Sequence, residues 1–249
     1  ADLVSFDRKH NEANGEENRD GETYNVSWNC GAEGKTRKKS ILELRLKQMK
    51  NAMLLLLTAQ GTPMIVSGDE FGFSHGGNNN PYCQDNAVSW LNWKLMETNR
   101  EFFSFVKEAV AFRKKHPVLH RPDELTMMDY IACGYPDLSL HGEEAWKLNA
   151  DGLSRQAGLM YCGCYAKVDK KNNDNFIYIA YNMHWEEHDF ALPALPPDLK
   201  WAKVLDTVSD RQEEVENGRT AAVAGRSIQI FESREKTGKE KQKAGQKKK

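Results

Sequence analysis

The sequence predicts an α/β segment followed by an all-β segment. Residues 36–116 have the order helix, short strand, long loop, helix, which is typical of β/α proteins. After Pro117, short runs rich in β-branched and aromatic residues alternate with turn residues, a spacing typical of antiparallel sandwiches. The boundary between the two segments is expected near residues 117–125.

The first predicted helix runs from about residue 36 to residue 59. Its apolar residues recur at helical spacing, and Thr36 is a suitable N-cap. Gly61 can take the left-handed position after the helix, and Pro63 cannot continue it. Residues 64–66 are all apolar and predict a short buried strand, of the kind that helices cover in parallel sheets.

The later elements follow from the same patterns. A second amphipathic helix is predicted at residues 99–115, because it carries one apolar stripe and is followed by His116-Pro117. Strands are expected in four short runs separated by turn residues: 158–166, 176–181, 201–205 and 227–231.

Composition excludes several classes of protein. Of 249 residues, 39% are hydrophobic and 29% are charged, as in a folded globular chain. Residues 234–249 carry a net charge of +6, so the remainder carries −7. No folded basic surface for nucleic acid is therefore expected, and the Lys-rich tail at 234–249 is expected to be disordered. The longest apolar run, residues 52–59, is too short to cross a bilayer.

Cysteine usage indicates the redox compartment. The chain has five cysteines, an odd number that is widely scattered. A secreted protein of this size would more often carry paired cysteines, so a reducing cytoplasm is predicted. Cys162 and Cys164 lie in a strand-like run, where buried thiols are the expected outcome.

One apparent metal motif is interpreted as accidental. Residues 184–188 fit the H-x-x-E-H pattern of some zinc peptidases, which requires a helix. Here the segment follows a predicted strand, and in extended chain His184 and His188 would stand about 13 Å apart, too far to share a metal ion. The sequence therefore predicts no metal site and no cofactor.

Two long polar loops carry the informative residues. Residues 5–36 and 68–88 are rich in glycine and asparagine, with a few aromatic residues among them. Long loops inside compact domains are usually functional. The second loop leaves the C-terminal end of the predicted strand, and β/α barrels build their active sites from such loops.

These loops resemble a known family. Residues 7–16 (DRKHNEANGE) and 24–31 (YNVSWNCG) resemble the loop after the seventh barrel strand of isoamylase-type glycogen-debranching enzymes, which are glycoside hydrolases of the α-amylase superfamily. Residues 68–72 (GDEFG) and 77–86 (GNNNPYCQDN) resemble the loop after their eighth strand. Residues 112–119 look like the end of the last barrel helix. The resemblance covers about residues 1–232.

The resemblance implies a fold and an activity. The fold is the C-terminal part of a (β/α)₈ TIM barrel at residues 1–120, followed by an antiparallel β-sandwich at 121–233. The activity is hydrolysis of α-1,6 branch linkages in glycogen or amylopectin-like glucan. Such retaining enzymes use two carboxylates about 5 Å apart. In this family these two and a third helper carboxylate lie on strands ahead of residue 1, so the chain alone is expected to be inactive without the N-terminal barrel half of the same protein.

The carboxylates that are present do not replace them. Asp69 and Glu70 follow the predicted strand, but adjacent residues of an extended chain point to opposite faces. They cannot both reach one glycosidic oxygen, so a structural role is expected for at least one. Glu16 and Glu17 are expected to be a solvated pair. No catalytic residue is predicted in this chain.

The loops are instead expected to bind sugar. Asparagine offers both a donor and an acceptor to glucose hydroxyl groups, and an ionised aspartate accepts from two of them. By resemblance, Asp85 matches an aspartate that contacts glucose units on the non-reducing side of the cleavage point. Five further residues are substrate-binding candidates, although each can equally brace its loop: His10, Asn14, Trp28, Asn80 and Tyr82.

Two other functions remain open. Some relatives transfer glucan chains instead of hydrolysing them, and the choice depends on how well the site excludes water. The sandwich could instead be a non-catalytic carbohydrate-binding or interaction module. For its aromatic residues (Tyr178, Tyr181, Trp185 and Trp201), which lie in strand-like runs, packing in the core is the default expectation.

Overall fold

The computed structural model describes residues 1–149, 154–209, 213–216 and 218–237. The chain divides into two compact units. The first comprises Ala1–Leu57 and Thr62–Ala111, and the second comprises Thr58–Gly61 and the residues from Phe112 onward.

The first unit is built from helices and loops. Helix α1 spans Lys39–Thr58, the short helix α2 spans Leu95–Thr98, and helix α3 spans Arg100–Lys115. Both long helices predicted from sequence are thus confirmed. Within this unit α1 packs against α3 through Met53, Phe102 and Val106.

The strand predicted at residues 64–66 is wrong. The segment has no regular structure, and the side chains of Met64 and Val66 are 83% and 59% exposed. A strand is stable only when a neighbouring strand accepts and donates its backbone hydrogen bonds. The first unit is described throughout and contains no strand, so this apolar run has nothing to pair with.

The second unit contains eight antiparallel strands among the described residues. Their bounds are β1 Leu138–His141, β2 Gln156–Tyr161, β3 Ile177–Asn182, β4 His188–Ala191, β5 Leu199–Asp206, β6 Glu213–Val215, β7 Thr220–Val223 and β8 Ser227–Glu235. Six form one sheet in the order β1-β2-β3-β8-β5-β6, and β4 pairs with β7 in a second sheet. The four predicted strands correspond to β2, β3, β5 and β8. Strand β2 ends early because Gly163–Tyr165 forms a 3₁₀ turn.

Both sheets contribute side chains to one apolar core. Trp201 and Tyr178 from the six-stranded sheet and Phe190 from the two-stranded sheet belong to the same cluster, and all three are fully buried. The indole Nε1 of Trp201 donates to the carbonyl of Pro193 at 2.8 Å, which satisfies its one polar group. Trp201 and Tyr178 are therefore core residues, as expected by default, and neither can stack on a sugar. For Trp185 that expectation is wrong, because it lies in the bend after β3 and is 55% exposed.

The ends of the two long helices are held within the second unit. The Arg113 guanidinium donates to the carbonyls of Ala59 at 2.8 Å, Gly61 at 2.5 Å and Leu119 at 3.1 Å. The Thr58 hydroxyl lies 3.0 Å from the Tyr181 hydroxyl. The contacts of Arg113 with Ala59 and Gly61 satisfy carbonyls that the end of α1 leaves without a helical partner.

The predicted tail starts too early. Arg234 and Glu235 belong to β8, where they pair with Lys200 and Leu199 of β5. The remainder of the predicted tail from residue 238 lies outside the described residues. None of the helices in the described ranges combines the length and hydropathy that a membrane crossing requires.

Candidate functional site

The two polar loops of the first unit are joined by asparagine side chains. We call residues 5–36 loop A and residues 68–88 loop B. Asn11 Nδ2 donates to Asn79 Oδ1 at 2.8 Å, and the Asn79 backbone N–H donates to Asn11 Oδ1 at 3.0 Å. Asn11 is fully buried. The two motifs that sequence analysis singled out therefore form one structure.

A second junction is built around Asn14. Its Nδ2 donates to the carbonyl of Asn80 at 2.9 Å, and its Oδ1 accepts from Asn78 Nδ2 at 2.8 Å and Gln84 Nε2 at 2.8 Å. The side chain of Asn14 is thus engaged by hydrogen bonds to three residues of loop B. Of its two predicted roles, the structure favours bracing for Asn14.

Asp20 is the charged centre of this junction, and sequence analysis missed it. Its Oδ2 accepts from Asn14 Nδ2 at 2.7 Å and from Asn80 Nδ2 at 3.0 Å. The hydrogen bond from Asn14, followed by that from Asn80, lowers the pKa of Asp20 despite opposing desolvation. The carboxylate therefore stays ionised and holds both amides. Nothing in the local sequence pattern distinguishes Asp20 from the other acidic residues of loop A.

Close approach at the junction requires glycine. Gly21 has a φ of +68°, and a Cβ at this position would lie 2.3 Å from Asn79 Oδ1 and 2.6 Å from Asn11 Nδ2. Gly77 has a φ of +83°, and a Cβ there would lie 2.7 Å from a ring carbon of Phe6. Only glycine combines this backbone conformation with the missing side chain.

His10 is held by both loops. Its backbone N–H donates to the carbonyl of Gly77 at 2.8 Å, and its Nε2 lies 2.9 Å from Glu33 Oε1. Burial alone would raise the pKa of Glu33, but hydrogen bonds from the backbone N–H of Asp7 and from His10 and Asn29 lower it to about 2. His10 therefore forms a charge-assisted contact within the loop, and the structure favours bracing here too.

Buried Arg45 of α1 fixes the far end of loop A. Its guanidinium donates to the carbonyls of Gly34 at 2.7 Å and Asn29 at 2.9 Å, and also to the carbonyl of Ala32. A single cation thus binds three carbonyls of the irregular loop backbone, of which the Asn29 carbonyl also accepts the Ala32 N–H. The helix that sequence analysis predicted therefore positions the loop.

The remaining predicted site residues are exposed. Tyr82 is 72% exposed in a 3₁₀ turn, and Trp28 is 42% exposed. Asp85 is exposed as well, and its Oδ1 accepts from the indole Nε1 of Trp90 at 3.0 Å rather than from another predicted site residue. The loops therefore present rings and a carboxylate on a rigid polar base.

Further exposed rings were not among the predicted site residues. Trp90 is 61% exposed, Trp93 63% and Tyr24 80%. The signal that could have found them is a large aromatic residue inside a polar stretch, because burial cannot account for it there. Next to these loops, a groove of about 210 Å³ is lined by Phe6, residues 25–27 and residues 77–79.

Asp69 and Glu70 both have structural partners. Asp69 Oδ2 accepts from the Val66 backbone N–H at 3.0 Å, and Glu70 Oε2 accepts from the Gly68 backbone N–H at 2.8 Å. Each carboxylate thus binds a backbone N–H of the segment that leads into the short 3₁₀ turn Asp69–Phe71. The expected structural role is therefore seen for both residues.

Two groups of metal-ligating side chains occur among the described residues of the second unit. Cys133, Cys162 and Cys164 lie together, with the Cys133 and Cys162 sulfurs 3.8 Å apart. Burial raises the pKa of the Cys162 thiol, which keeps it protonated and unreactive.

The second group corrects the sequence analysis. His184 and His188 are not far apart, because His188 Nε2 lies 3.0 Å from His184 Nδ1. The chain bends at residues 184–186 between β3 and β4 instead of remaining extended. The distance argument against a shared metal ion is therefore wrong.

The chain is similar in sequence to several known proteins. No protein-family model matches the chain. The GlgX homolog of the glycogen operon in Mycobacterium tuberculosis is 36% identical over an alignment that covers 92% of this chain and 34% of that protein. Isoamylase 3, chloroplastic, of Oryza sativa subsp. japonica is 37% identical over 83% of this chain and 24% of its own length. The glycogen debranching enzyme of Erwinia tasmaniensis is 48% identical over 48% of this chain and 18% of its own length.

Solved structures agree at the level of the fold. Pullulanase type I from Bacillus subtilis, complexed with maltose, has a TM-score of 0.58 at 19% identity, covering 86% of this chain and 26% of that one. Pullulanase from Bacillus acidopullulyticus has a TM-score of 0.56 at 18% identity, covering 79% of this chain and 21% of that one.

The structure therefore shares the fold of part of these pullulanases. The resemblance read from loops A and B is confirmed: the chain is a relative of the glycogen debranching enzymes and isoamylases. The chain spans about a third or less of the length of these relatives.

Proposed function

We propose that the chain is part of a glycoside hydrolase that cleaves α-1,6 branch linkages in glycogen-like or amylopectin-like glucan. Loops A and B contribute the surface that binds glucose units of the substrate. The observation that carries the proposal is the direct joining of the two family-like loops through Asn11 and Asn79. Relatives bearing the names glycogen debranching enzyme and isoamylase support it.

The division of labour within the loops follows from exposure. His10, Asn14 and Asn80 have protein partners and hold the loops in shape. Asp85 and Tyr82 are exposed and offer a carboxylate acceptor and a ring face. Sugar hydroxyls need hydrogen-bond partners, and the C–H faces of glucose pack on aromatic rings. We assign substrate contact to Asp85 and Tyr82, with Trp28 as a further exposed ring.

Catalysis is proposed to reside elsewhere in the parent protein. Cleavage with retention needs two carboxyl groups about 5 Å apart. The best-placed pair near the loops, Asp69 and Glu70, is engaged by backbone N–H groups. We therefore propose that the chain alone is inactive, and that residues 1–120 complete a (β/α)₈ barrel whose remaining half belongs to the same protein. Residues 121–233 then form the C-terminal β-sandwich, and the cytoplasm is the proposed location.

Titration of the 249-residue chain with a branched maltooligosaccharide tests the binding proposal. Asp85→Asn and Tyr82→Ala are expected to weaken binding about tenfold, the value of a hydrogen bond to a charged group or of a stacked ring. Matched controls in the second unit are Asp123→Asn and Tyr130→Ala, since both residues are exposed, and these should bind as the parent chain does.

If the second unit were instead a non-catalytic carbohydrate-binding module, substitutions in that unit, and not those in loop B, would weaken binding. Trp185 of the second unit is 55% exposed and stands for that module in this test. Binding that is lost on Trp185→Ala and retained on Asp85→Asn would refute the proposal. On the full-length parent, released linear oligosaccharides are expected, whereas newly formed α-1,4 chains would indicate transfer instead of hydrolysis.

A further inference from the structure

The bend between β3 and β4 gathers three side chains with metal-ligating atoms. His184 Nδ1 lies 3.0 Å from His188 Nε2 and 3.9 Å from Glu186 Oε2. The three ligand atoms all lie within 4.8 Å of one another. The two histidines are partly buried and Glu186 is exposed, so an ion can reach the cluster from solvent.

The spacing suits a zinc-like ion. Zinc binds imidazole nitrogen at about 2.0–2.1 Å in tetrahedral geometry, which separates two such nitrogens by about 3.3 Å. The two imidazole nitrogens at 3.0 Å need only a slight widening to reach this spacing. Glu186 must move its carboxylate inward, and its exposed side chain is free to do so, because it is 70% accessible.

One of the two facing imidazole nitrogens is unprotonated. His184 Nδ1 accepts the Glu186 backbone N–H at 3.2 Å, so this nitrogen presents its lone pair rather than a proton. The contact between the two imidazoles then needs a proton on His188 Nε2. A metal ion bound to both nitrogens replaces that proton, which leaves to solvent, and takes the His184 lone pair in place of the hydrogen bond from the Glu186 N–H.

Neighbouring groups hold the two rings in place. His188 Nδ1 contacts the carboxylate of Glu143, and Ala191 of β4 donates its backbone N–H to the Glu143 carbonyl at 2.8 Å. A carboxylate on the far nitrogen of a histidine orients the ring and strengthens it as a metal ligand. Trp185 stacks on the His184 ring at 4.0 Å between centroids.

We propose that His184, Glu186 and His188 form a binding site for a divalent zinc-type metal ion, with Glu143 orienting His188. Two histidines and one carboxylate fill three positions of a tetrahedral ion and leave the fourth to water. The ion clamps the end of β3 to the start of β4. The site is independent of glucan binding by loops A and B.

Metal titration of the full chain tests this inference. The chain is stripped with a chelator and titrated with Zn²⁺ or Co²⁺ in the presence of a competing chelator. One ion per chain is expected at this site. His184→Gln and His188→Gln should each weaken binding by at least tenfold, and Glu143→Gln by about tenfold.

Glu186 and Glu187 provide the sharpest control, because they are adjacent and both exposed. Glu187 is the glutamate of the H-x-x-E-H pattern, whereas Glu186 is the one in the cluster. Glu186→Gln should weaken binding and Glu187→Gln should not. His120→Gln, at an exposed histidine outside the cluster, should also have no effect.

The thiol group at Cys133, Cys162 and Cys164 is the rival site. Cobalt bound by thiolates gives an intense charge-transfer band, whereas histidine and carboxylate ligands do not. Binding that persists in the His184→Gln/His188→Gln double variant, or that shows the thiolate band, would overturn the proposal. Absence of binding by the parent chain would overturn it as well. Unchanged circular dichroism of the variants excludes misfolding as the cause of any loss.

Discussion

Asn11 and Asn79, 68 positions apart in the chain, hold loops A and B together by two hydrogen bonds of 2.8 and 3.0 Å. Gly21 packs directly against this pair. A buried amide that bonds in both directions is costly to disturb, because removing one partner leaves the other unsatisfied away from water. The geometry of the proposed glucan surface therefore depends on this contact.

Gly21→Ala is expected to separate the loops. Both Gly21 and Gly15 have positive φ, at +68° and +81°, but a Cβ at Gly21 would clash with the asparagine pair, whereas nothing lies within 4 Å of one at Gly15. Both substitutions carry the left-handed backbone cost of about 1–2 kcal/mol. Gly21→Ala should cost a further 1–3 kcal/mol, roughly, from overpacking.

Chemical denaturation and limited proteolysis of loop A would measure this difference. Gly21→Ala should also weaken glucan binding, whereas Gly15→Ala should leave it unchanged. Equal effects of the two substitutions would show that the asparagine junction does not control the surface.

His116 is expected to make the second unit sensitive to alkaline pH. Its Nδ1 lies 2.7 Å from Asp174 Oδ1, and its Nε2 lies 3.3 Å from Glu232 Oε2. Burial opposes the charge, but the hydrogen bonds of Asp174 and Glu232 outweigh it and raise the pKa of His116 above 6.5. The resulting stability is complete below pH 6.5 and is lost as the pH rises through the raised pKa.

His116→Gln should therefore abolish the alkaline decline in the free energy of unfolding. At pH 6 it should also destabilise the second unit by about 3–5 kcal/mol, because it leaves the buried Asp174 carboxylate without its cationic partner. Denaturant melts from pH 5 to 9, with His120→Gln as the control, would measure both effects. An unchanged slope in the variant would rule out His116 as the titrating group.

His141 is expected to make the second unit less stable in acid. It is fully buried; its Nδ1 accepts the Trp146 backbone N–H at 2.7 Å, and its Nε2 lies 2.8 Å from Ser139 Oγ. Burial lowers the pKa of His141 from 6.5 to about 4. The unfolded chain therefore takes up a proton first, and stability present above pH 6.5 is lost as the pH falls through about 4.

The loss should reach roughly 3 kcal/mol, since one pKa unit corresponds to about 1.4 kcal/mol. His141→Gln should remove this part of the acid dependence between pH 6.5 and 4 and leave the alkaline limb intact. If parent and variant lost stability in parallel over this range, His141 would not be neutral in the folded protein.

The apolar run at residues 64–66 is expected to promote self-association of the chain. Met64 and Val66 are 83% and 59% exposed, and Ile65 is 39% exposed. Burial of each large apolar side chain stabilises a complex by about 1.5–3 kcal/mol. Three neighbouring exposed ones therefore form an apolar surface that favours association.

Replacing Met64, Ile65 and Val66 by Ser, Thr and Thr should lower the association constant at least tenfold, roughly the effect of one lost apolar burial. Sedimentation velocity would measure it. Met128→Ser/Ile131→Thr is the matched control, since these side chains are 64% and 48% exposed. A monodisperse parent chain would contradict this prediction.

Sequence predicted regular elements better than the contacts between loops. The periodicities that predicted α1, α3 and the main strands are local, and the structure contains these elements. The strand at 64–66 failed because its apolar pattern is local, whereas strand formation needs a distant partner. The bend at residues 184–186 escaped prediction for a related reason, since β4 pairs with β7 in a separate sheet and the chain must turn to reach it.

Local sequence was also insufficient to predict the roles of single residues in the loops. Motif resemblance drew attention to Asn14 and Asn80, but it could not say that both amides bind Asp20. Which asparagine braces and which side chain stays exposed depends on contacts across more than 60 positions of sequence. Asp85 and Tyr82 remain the predicted substrate contacts.

Hydrogen-exchange mapping with saturating branched maltooligosaccharide tests the central claim most directly. The account predicts slower exchange at residues 9–24 and 78–90, with residues 177–191 of the second unit unchanged. The same protection should be weaker with Asp85→Asn at equal ligand concentration. Protection confined to residues 177–191 would contradict the claim that loops A and B bind the glucan.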